Sequence, residues 1–256
     1  MPAEPYDTLA AVYDWLVPET LLTPEGSVRA FAPVLEALAP GARVLDCAAG
    51  TGTLAVGLAQ RGFDVVATDA SRAMVERTRA LAARHGVELS ARRCAWEDLG
   101  AEGLEPFDAV LCVGNSLTHA PGRDARRRAL RAMAAVLRPG GLLVVSSRNW
   151  ERVRAAGSGL QVDERLTERD GRRGLVIHNW SLADGWDEPH HLDVAVALIE
   201  RDAVTTHAER LAFWPFRREA LDEDLRAAGL EPASSTYADD PDRYLVTARR
   251  PEQPGG

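Results

Sequence analysis

Residues 44–53 constrain the fold of this chain more than any other stretch. They read VLDCAAGTGT, an apolar strand followed by a glycine turn that can start a helix, and the next apolar stretch ends in Asp69. A strand, a glycine turn, a helix and a second strand that ends in an acid form the unit with which a Rossmann-type sheet holds an adenosine-bearing cofactor. The pattern therefore predicts an α/β fold with a cofactor site at this turn.

The glycines of this turn fit two cofactor classes. Residues 50–55 match the G-x-G-x-x-G/A pattern of dinucleotide sites, and Asp69 stands near the offset of about 20 residues expected for an acid that binds ribose. Asp46, however, ends the first strand just ahead of Gly50. A carboxylate there would repel a pyrophosphate but can pair with a cationic group. The turn therefore favours S-adenosylmethionine (SAM), with Asp46 on the methionine ammonium and Asp69 on the ribose. The alternative is a strand-to-helix turn that binds no ligand.

Composition narrows the class of protein. The chain has 256 residues, of which 46% are hydrophobic, and a formal charge of −8 that disfavours a nucleic-acid partner. No apolar run approaches the roughly 20 residues of a membrane span, and residues 1–5 do not resemble a signal peptide, so we expect a cytoplasmic protein without a membrane partner. Assembly into a homo-oligomer is left open by the sequence.

Cysteine and histidine usage gives no sign of a metal. Cys47, Cys94 and Cys112 are odd in number and lie in apolar stretches, which indicates buried, reduced thiols. The pair His190-His191 has no partners at metal-ligand spacing. We therefore expect no bound metal.

Strand-like and helix-like segments alternate up to Trp150 and then give way to strands alone. The first part predicts a Rossmann-like, doubly wound, seven-stranded sheet, and the second predicts a small antiparallel β insertion after the fifth strand. Expected strands are 44–46, 63–69, 87–94, 107–113 and 142–146 in the core, 174–182, 192–201 and 205–213 in the insertion, and 236–238 and 244–247 at the end. Expected helices are 6–38 with breaks at Pro18 and Pro24, then 54–61, 72–85, 123–137 and 217–228.

Three regions follow from this arrangement. Residues 1–150 are expected to form an N-terminal helical lid and a SAM-binding core. Residues 151–216 are expected to cap the substrate site, at the edge of the sheet where ligands bind in such folds. Residues 217–250 should complete the core sheet with a final helix and a strand pair.

Together these residues resemble class I SAM-dependent methyltransferases, and within them the glycine/sarcosine N-methyltransferase group. The resemblance covers about residues 42–150. The glycine turn and a Leu-Arg-Pro-Gly-Gly turn are shared by many methyltransferases, whereas Gly-Asn-Ser and Arg-Asn-Trp are narrower. The matching motifs are 44–52, Asp69-Ala70-Ser71, Ala95-Trp96, Gly114-Asn115-Ser116 with His119, Leu137-Arg138-Pro139-Gly140-Gly141, and Arg148-Asn149-Trp150.

The resemblance implies a set of residues that hold the cofactor. Gly50 and Gly52 would give backbone access to the methionine part, and Asp69, followed by Ala70, would hold the ribose. Ala95 and Trp96 would border the adenine, although Trp96 could also be a core aromatic. Val113 would flank the sulfonium or simply line the core. An N-terminal tyrosine closes over the cofactor in this family, and Tyr13 and Tyr6 are the candidates.

The resemblance also implies an acceptor site. Asn115 and Arg148 would hold an amino-acid substrate, with the Arg148 fork on its carboxylate; an ordinary ion pair is the alternative for Arg148. His119 would take a proton from the nucleophile or be a plain loop histidine. Where the glycine enzymes carry a tyrosine pair before proline, this chain reads Phe213-Trp214-Pro215-Phe216.

This departure adds an apolar aromatic wall and makes Trp214 a candidate substrate contact, with Trp180 and Trp186 also in the insertion. We therefore predict a SAM-dependent methyltransferase for a small-molecule acceptor, either an amine or an aromatic or indole-type specialised metabolite. A glycine/sarcosine N-methyltransferase is the alternative within this class. An NAD-dependent oxidoreductase and a non-catalytic SAM-binding protein are the alternatives outside it.

Overall fold

The computed structural model describes residues 6–239 and 241–252. Its centre is a seven-stranded sheet in the order β11-β12-β5-β4-β1-β2-β3, in which β12 runs antiparallel to both β5 and β11. The other neighbours in the sheet are parallel. This topology confirms the predicted doubly wound sheet. Its strands are β1 Arg43–Asp46, β2 Asp64–Asp69, β3 Ser90–Arg93, β4 Phe107–Cys112, β5 Leu137–Arg148, β11 Glu231–Ser235 and β12 Arg243–Arg249.

Helices cover both faces of this sheet because its central strands are buried on both sides, as parallel strands require. One apolar layer lies between the sheet and the fifth and seventh helices, and the other lies between the sheet and the first three. Cys47, Cys94 and Cys112 are buried and free in these layers. The helices are α1 Pro24–Ala30, α2 Ala32–Leu35, α3 Thr53–Gln60, α4 Arg72–Arg84, α5 Gly122–Val136, α6 Trp150–Ala156 and α7 Arg218–Ala227.

A second, antiparallel sheet follows β5 and α6, as predicted for the insertion, in the order β10-β9-β8-β6 with β7 on β8. Buried and half-buried residues alternate strictly along the strand His190–Ile199, so one face of this sheet is buried. That face packs on Trp150 and the N-terminal segment. Its strands are β6 Gly159–Val162, β7 Thr167–Arg169, β8 Arg172–Ser181, β9 His190–Ile199 and β10 Val204–Phe213.

Several element boundaries differ from the sequence prediction. The N-terminal segment forms short 3-10 turns at Ala10–Trp15 and Glu19–Leu21 before α1, because its prolines interrupt a longer helix. Strands β6 and β7 were not predicted; they are short and mostly exposed, and therefore lack an apolar pattern. Strand β5 begins at Leu137 and includes the expected turn at residues 139–141, and β11 lies before the predicted 236–238.

Within the described ranges, no helix has the length and apolarity that crossing a bilayer requires.

A buried carboxylate joins the last helix to the core. Asp224 of α7 is fully buried and accepts hydrogen bonds from Arg123, Arg126 and Arg127 of α5 at 2.9, 2.8 and 2.7 Å. Burial by itself would raise the pKa of Asp224, but the three guanidinium groups outweigh it and leave the pKa below its usual value. The ionised form of Asp224 is therefore part of the folded state.

We predict that Asp224→Asn lowers the free energy of unfolding by about 3 kcal/mol, because it leaves the buried Arg126 without its countercharge. Glu223→Gln is the matched control: Glu223 meets Arg123 in the exposed part of the same contact, and its loss should cost less than about 0.5 kcal/mol. Urea denaturation measures both. Because the pKa of Asp224 is lower in the folded protein than in the unfolded chain, its contribution to stability is fully present above the unfolded pKa of about 3.9. This contribution is lost as the pH falls through the pKa of the folded state. Equal losses in the two variants would contradict the assignment.

Candidate active site

A cavity of about 270 Å³ lies at the carboxyl ends of β1, β2 and β3. Ligands bind at this edge in open α/β sheets, because the chain leaves each strand there and the loops diverge. Four predicted cofactor residues line the cavity: Asp69, Ala70, Ala95 and Trp96. Five others are not among its lining residues: Tyr13, Asp46, Gly50, Gly52 and Val113.

The glycine turn fixes the position of Asp69. The backbone N–H of Gly50 donates to Asp69 Oδ2 and that of Ser71 donates to Oδ1, both at 2.9 Å. Burial raises the pKa of Asp69, and these two hydrogen bonds partly offset it. Each carboxylate oxygen keeps further acceptor capacity toward the cavity.

Asp46 ends β1 and is buried, with only 1% of its surface exposed. Its carboxylate lies 3.5 Å from the Ala48 backbone N–H, and no described residue forms an ion pair with it. Burial, with a smaller effect from the charge of Asp69, raises the pKa of Asp46 to about 7. A buried acid without a countercharge can gain stabilisation from a cationic ligand.

Trp96 is held in place by its indole N–H, which donates to the carbonyl of Cys47 at 2.8 Å. This bond ties the start of the segment after β3 to the end of β1. The half-buried ring lines the cavity and also packs against the core layer beneath it. Part of its surface is therefore available to a ligand.

A second cavity, of about 110 Å³, lies between the N-terminal segment, the end of β5 and the inner face of the antiparallel sheet. Among its lining residues are Asn115, Arg148, Trp180 and Phe213. Tyr6 lines both cavities, so the two adjoin across its side chain. Tyr13, the other candidate tyrosine, is among the lining residues of the second cavity but not of the first.

His119 lies between the two cavities in a defined tautomer. Its Nδ1 is 3.0 Å from the carbonyl oxygen of Ala212, and its Nε2 is 2.9 Å from the Tyr6 hydroxyl. A carbonyl only accepts, so Nδ1 carries the proton and Nε2 accepts from Tyr6. Burial lowers the pKa of His119 to about 4, which keeps the ring neutral near pH 7. Its one basic nitrogen is already occupied by Tyr6.

Asn115 has most of its hydrogen bonds inside the protein. Its Oδ1 accepts from the backbone N–H of Arg148 at 3.0 Å and from the indole N–H of Trp150 at 3.2 Å. Its Nδ2 donates to the Thr118 hydroxyl at 3.0 Å. The amide thus joins the two narrower motifs of the sequence and leaves little capacity for a ligand.

Arg148 ends β5, with its guanidinium 5.8 Å from the centre of the Trp180 ring. Burial, with a smaller contribution from Arg243, lowers the pKa of Arg148 to about 10, so the group remains charged near pH 7. The structure does not show Arg148 in an ordinary ion pair, because no carboxylate among the described residues pairs with it. Its charge is available to the second cavity.

The structure places Trp214, the predicted substrate contact, outside the lining of both cavities, and its neighbour Phe213 at the second one. Phe213 lines the second cavity and packs on His119, Trp150 and Trp180. Trp214 lines neither cavity, and its backbone N–H donates to the carbonyl of Thr118. Successive side chains of an extended segment point to opposite sides, so only one of the two can face the cavity.

The insertion tryptophans differ in the same way. Trp180 lines the second cavity, whereas Trp186 lies outside both, between the guanidinium groups of Arg154 and Arg217. Sequence reasoning missed Arg243 and His178, which also line the second cavity. Neither lies in a recognisable motif. In the part of the chain that the structure describes, no group of three or more metal-ligating side chains comes together.

The fold and the first cavity define an α/β enzyme with an adenosine-type cofactor site, and comparison with known proteins agrees. A family described as "Methyltransferase domain" matches residues 44–141. The glycine/sarcosine N-methyltransferase of Aphanothece halophytica is 28% identical over 81% of this chain and 76% of its own length. That of Parasynechococcus marenigrum (strain WH8102) is 39% identical over 57% of this chain and 55% of its own length.

Solved structures share the fold over nearly the whole chain. A SAM-dependent methyltransferase from Clostridium acetobutylicum ATCC 824 superimposes with a TM-score of 0.77 at 15% identity, covering 97% of this chain and 100% of that one. The CcbJ methyltransferase of Streptomyces caelestis gives 0.76 at 22% identity, covering 96% and 97%. These structures share the fold, and the match to the methyltransferase-domain family together with the two relatives supports a class I SAM-dependent methyltransferase with SAM as its cofactor, as predicted.

The two glycines of the turn should respond differently to substitution. Both have left-handed backbone conformations, with φ of +55° at Gly50 and +84° at Gly52. A Cβ on Gly52 would lie 2.9 Å from the Cα of Thr78, whereas one on Gly50 would meet nothing within 4 Å. We predict that Gly50→Ala costs about 1 kcal/mol of unfolding free energy, and Gly52→Ala about 1–3 kcal/mol more because of overpacking. Urea denaturation compares them, and equal costs would contradict the role of the Thr78 contact.

Proposed function

We propose that this enzyme methylates the nitrogen of a small amine that carries a carboxylate and an apolar or aromatic body. The observation that carries this proposal is the second cavity, where the unpaired cation of Arg148 lies among the apolar walls of Trp180 and Phe213. Apolar surface with one placed charge is the usual composition of a small-molecule site. Tyr6 forms a wall common to this cavity and the cofactor cavity, so the two reactants would lie side by side.

The described residues fit SAM in the first cavity. Asp46 would pair with the methionine ammonium, since it is a buried acid without a countercharge, and Asp69 would accept from the ribose hydroxyls. Ala95 and Trp96 would border the adenine, and the turn at Gly50 and Gly52 would approach the methionine part through its backbone. Val113 would support the cofactor from the core layer.

When bound there, SAM would supply an electrophilic methyl group that is transferred to the nitrogen lone pair, with S-adenosylhomocysteine as the product. The chain contributes alignment of two reactants and exclusion of water, which can lower a barrier by about 7–11 kcal/mol. The uncharged amine is the form that reacts, because it has a free lone pair. The methylated nitrogen then releases its proton to water.

His119 holds Tyr6 in this scheme. Its Nε2 accepts the Tyr6 hydroxyl, and its pKa of about 4 makes it a weak base. We propose that it positions Tyr6 over the junction of the cavities rather than taking a proton from the acceptor. Asn115 would likewise act by holding the end of β5, from which Arg148 projects.

The names of the relatives favour nitrogen as the methylated atom, because both are glycine/sarcosine N-methyltransferases. Glycine and sarcosine are therefore the second candidate acceptors. Phe213 and Trp180 favour an acceptor with a larger side chain. The hydrogen side chain of glycine or sarcosine would leave these aromatic surfaces in contact with water.

We predict that phenylalanine or tryptophan is methylated with a kcat/KM at least about tenfold above that of glycine, because its ring fills the apolar walls. The matching amines without a carboxylate should fall by about tenfold or more, because Arg148 loses its partner. Formation of S-adenosylhomocysteine and of the methylated amine, followed by mass spectrometry, measures the series.

Arg148→Gln tests the same contact from the side of the protein, with Arg210→Gln as its control because Arg210 meets Asp193 in an exposed pair. The first should lower kcat/KM by about 100-fold and the second by less than about twofold. A preference for free glycine, or methylation of no amine in the panel, would refute the proposed acceptor.

The pH dependence of cofactor binding tests Asp46. The pKa of Asp46 is raised to about 7 in the free protein, and only the ionised form can pair with an ammonium group. Below about pH 7 binding must therefore expel a proton, and we predict that affinity for S-adenosylhomocysteine falls by up to tenfold per pH unit. Asp46→Asn should bind weakly and with a flatter profile, whereas the exposed Asp64→Asn should keep the wild-type profile. Calorimetry across pH 5–8 measures this, and an unchanged profile in Asp46→Asn would exclude the pairing.

A further inference from the structure

Arg243 lies directly opposite Arg148 in the core sheet. Strands β12 and β5 are antiparallel, and their register pairs Arg243 with Arg148. Opposite residues of an antiparallel pair project from the same face, with Cβ atoms about 4.5–5.5 Å apart. Both arginines line the second cavity.

Two like charges in this position are unfavourable without a counterion. Neither guanidinium forms an ion pair within the described residues, and the neighbouring acid Asp242 pairs with Arg152 instead. No aspartate or glutamate is among the residues that line the second cavity, although acids outnumber basic residues 38 to 30 in the chain. The other polar groups at this cavity are Asn115, His178 and the two tyrosines Tyr6 and Tyr13. The cavity is therefore cationic in an acidic protein.

We propose that Arg243 and Arg148 together hold one carboxylate of the acceptor, and that Arg243 is a specificity-determining residue of this enzyme. This inference rests on the proposed function for the identity of the bound molecule as acceptor. A carboxylate offers about four lone-pair sites on two oxygens, enough to accept from two guanidinium groups at once.

This pairing explains why a second cation is useful. With Arg148 alone, a bound carboxylate would neutralise the site. With both arginines one positive charge remains, and it disfavours the protonated form of the acceptor's amine. The positive charge attracts anionic molecules but does little to exclude neutral molecules of similar shape. Selectivity for the anion therefore comes from this attraction.

Calorimetry in saturating S-adenosylhomocysteine tests the site with two probes that have no amine, 3-phenylpropanoate and its neutral amide. Wild-type protein should bind the carboxylate about tenfold or more tightly than the amide, as expected for charge-assisted hydrogen bonds. Arg243→Gln should weaken the carboxylate by about tenfold and change the amide by less than about twofold. Arg210→Gln, the exposed control, should match wild type for both probes. Absence of carboxylate binding in wild type, wild-type affinity in Arg243→Gln, or equal loss of both probes would overturn the inference.

Thermal unfolding of the free protein separates a binding role from a structural one. Removal of one of two opposed cations should leave the Tm of Arg243→Gln equal to or above that of wild type. A Tm lower by several degrees, with both probes weakened together, would show a structural role and overturn the inference.

These probes carry no nucleophile, so the result does not depend on methyl transfer. Carboxylate binding that requires Arg243 in a protein that methylates no amine would refute the proposed function and keep the anion site. Methylation of an amino acid with equal kcat/KM by wild type and Arg243→Gln would keep the proposed function and refute the anion site.

Discussion

The amide of Asn115 connects the parts of the molecule that form the second cavity. It accepts from the backbone of Arg148 and from the indole of Trp150, and it donates to Thr118 in the loop that contains His119. Asn115 adopts a left-handed conformation with φ of +70°, which asparagine tolerates better than most residues. One side chain thus ties the loop after β4 to the end of β5 and to the aromatic core of the insertion.

Unpaired charges mark the two cavities, and their signs are opposite. Asp46 lies beside the cofactor cavity without a cation, whereas Arg148 faces the second cavity without an anion. Asp224, away from both, is compensated by three arginines. A protein that needs a charge only for stability surrounds it with partners, and a charge left without one is a candidate for ligand binding. The pattern suits a cationic cofactor and an anionic acceptor.

The N-terminal segment closes the site through contacts that are distant in sequence. The backbone N–H of Tyr6 donates to Glu209 of β10 at 2.8 Å, and Arg77 of α4 holds Asp14 with two bonds of 2.7 and 2.8 Å. These contacts place the Tyr6 ring between the cavities and its hydroxyl on His119. The antiparallel sheet of the insertion therefore supplies the apolar wall of the second cavity. It also supplies Glu209, which binds the N-terminal segment that covers this cavity.

The core sheet, the cofactor class and the insertion could be predicted from the order of the amino acids, because each depends on local patterns: the turn after Asp46, the acid at Asp69 and the change from alternating elements to strands. Which aromatic residues line the second cavity follows only from the folded chain. Phe213 and Trp214 are adjacent and chemically alike, but only Phe213, the last residue of β10, lines this cavity. Arg243 carries no motif; its place opposite Arg148 comes from strand pairing across 95 residues of chain. Long-range register of this kind leaves no local trace, so the sequence could not show that Arg243 lines the same cavity as Arg148.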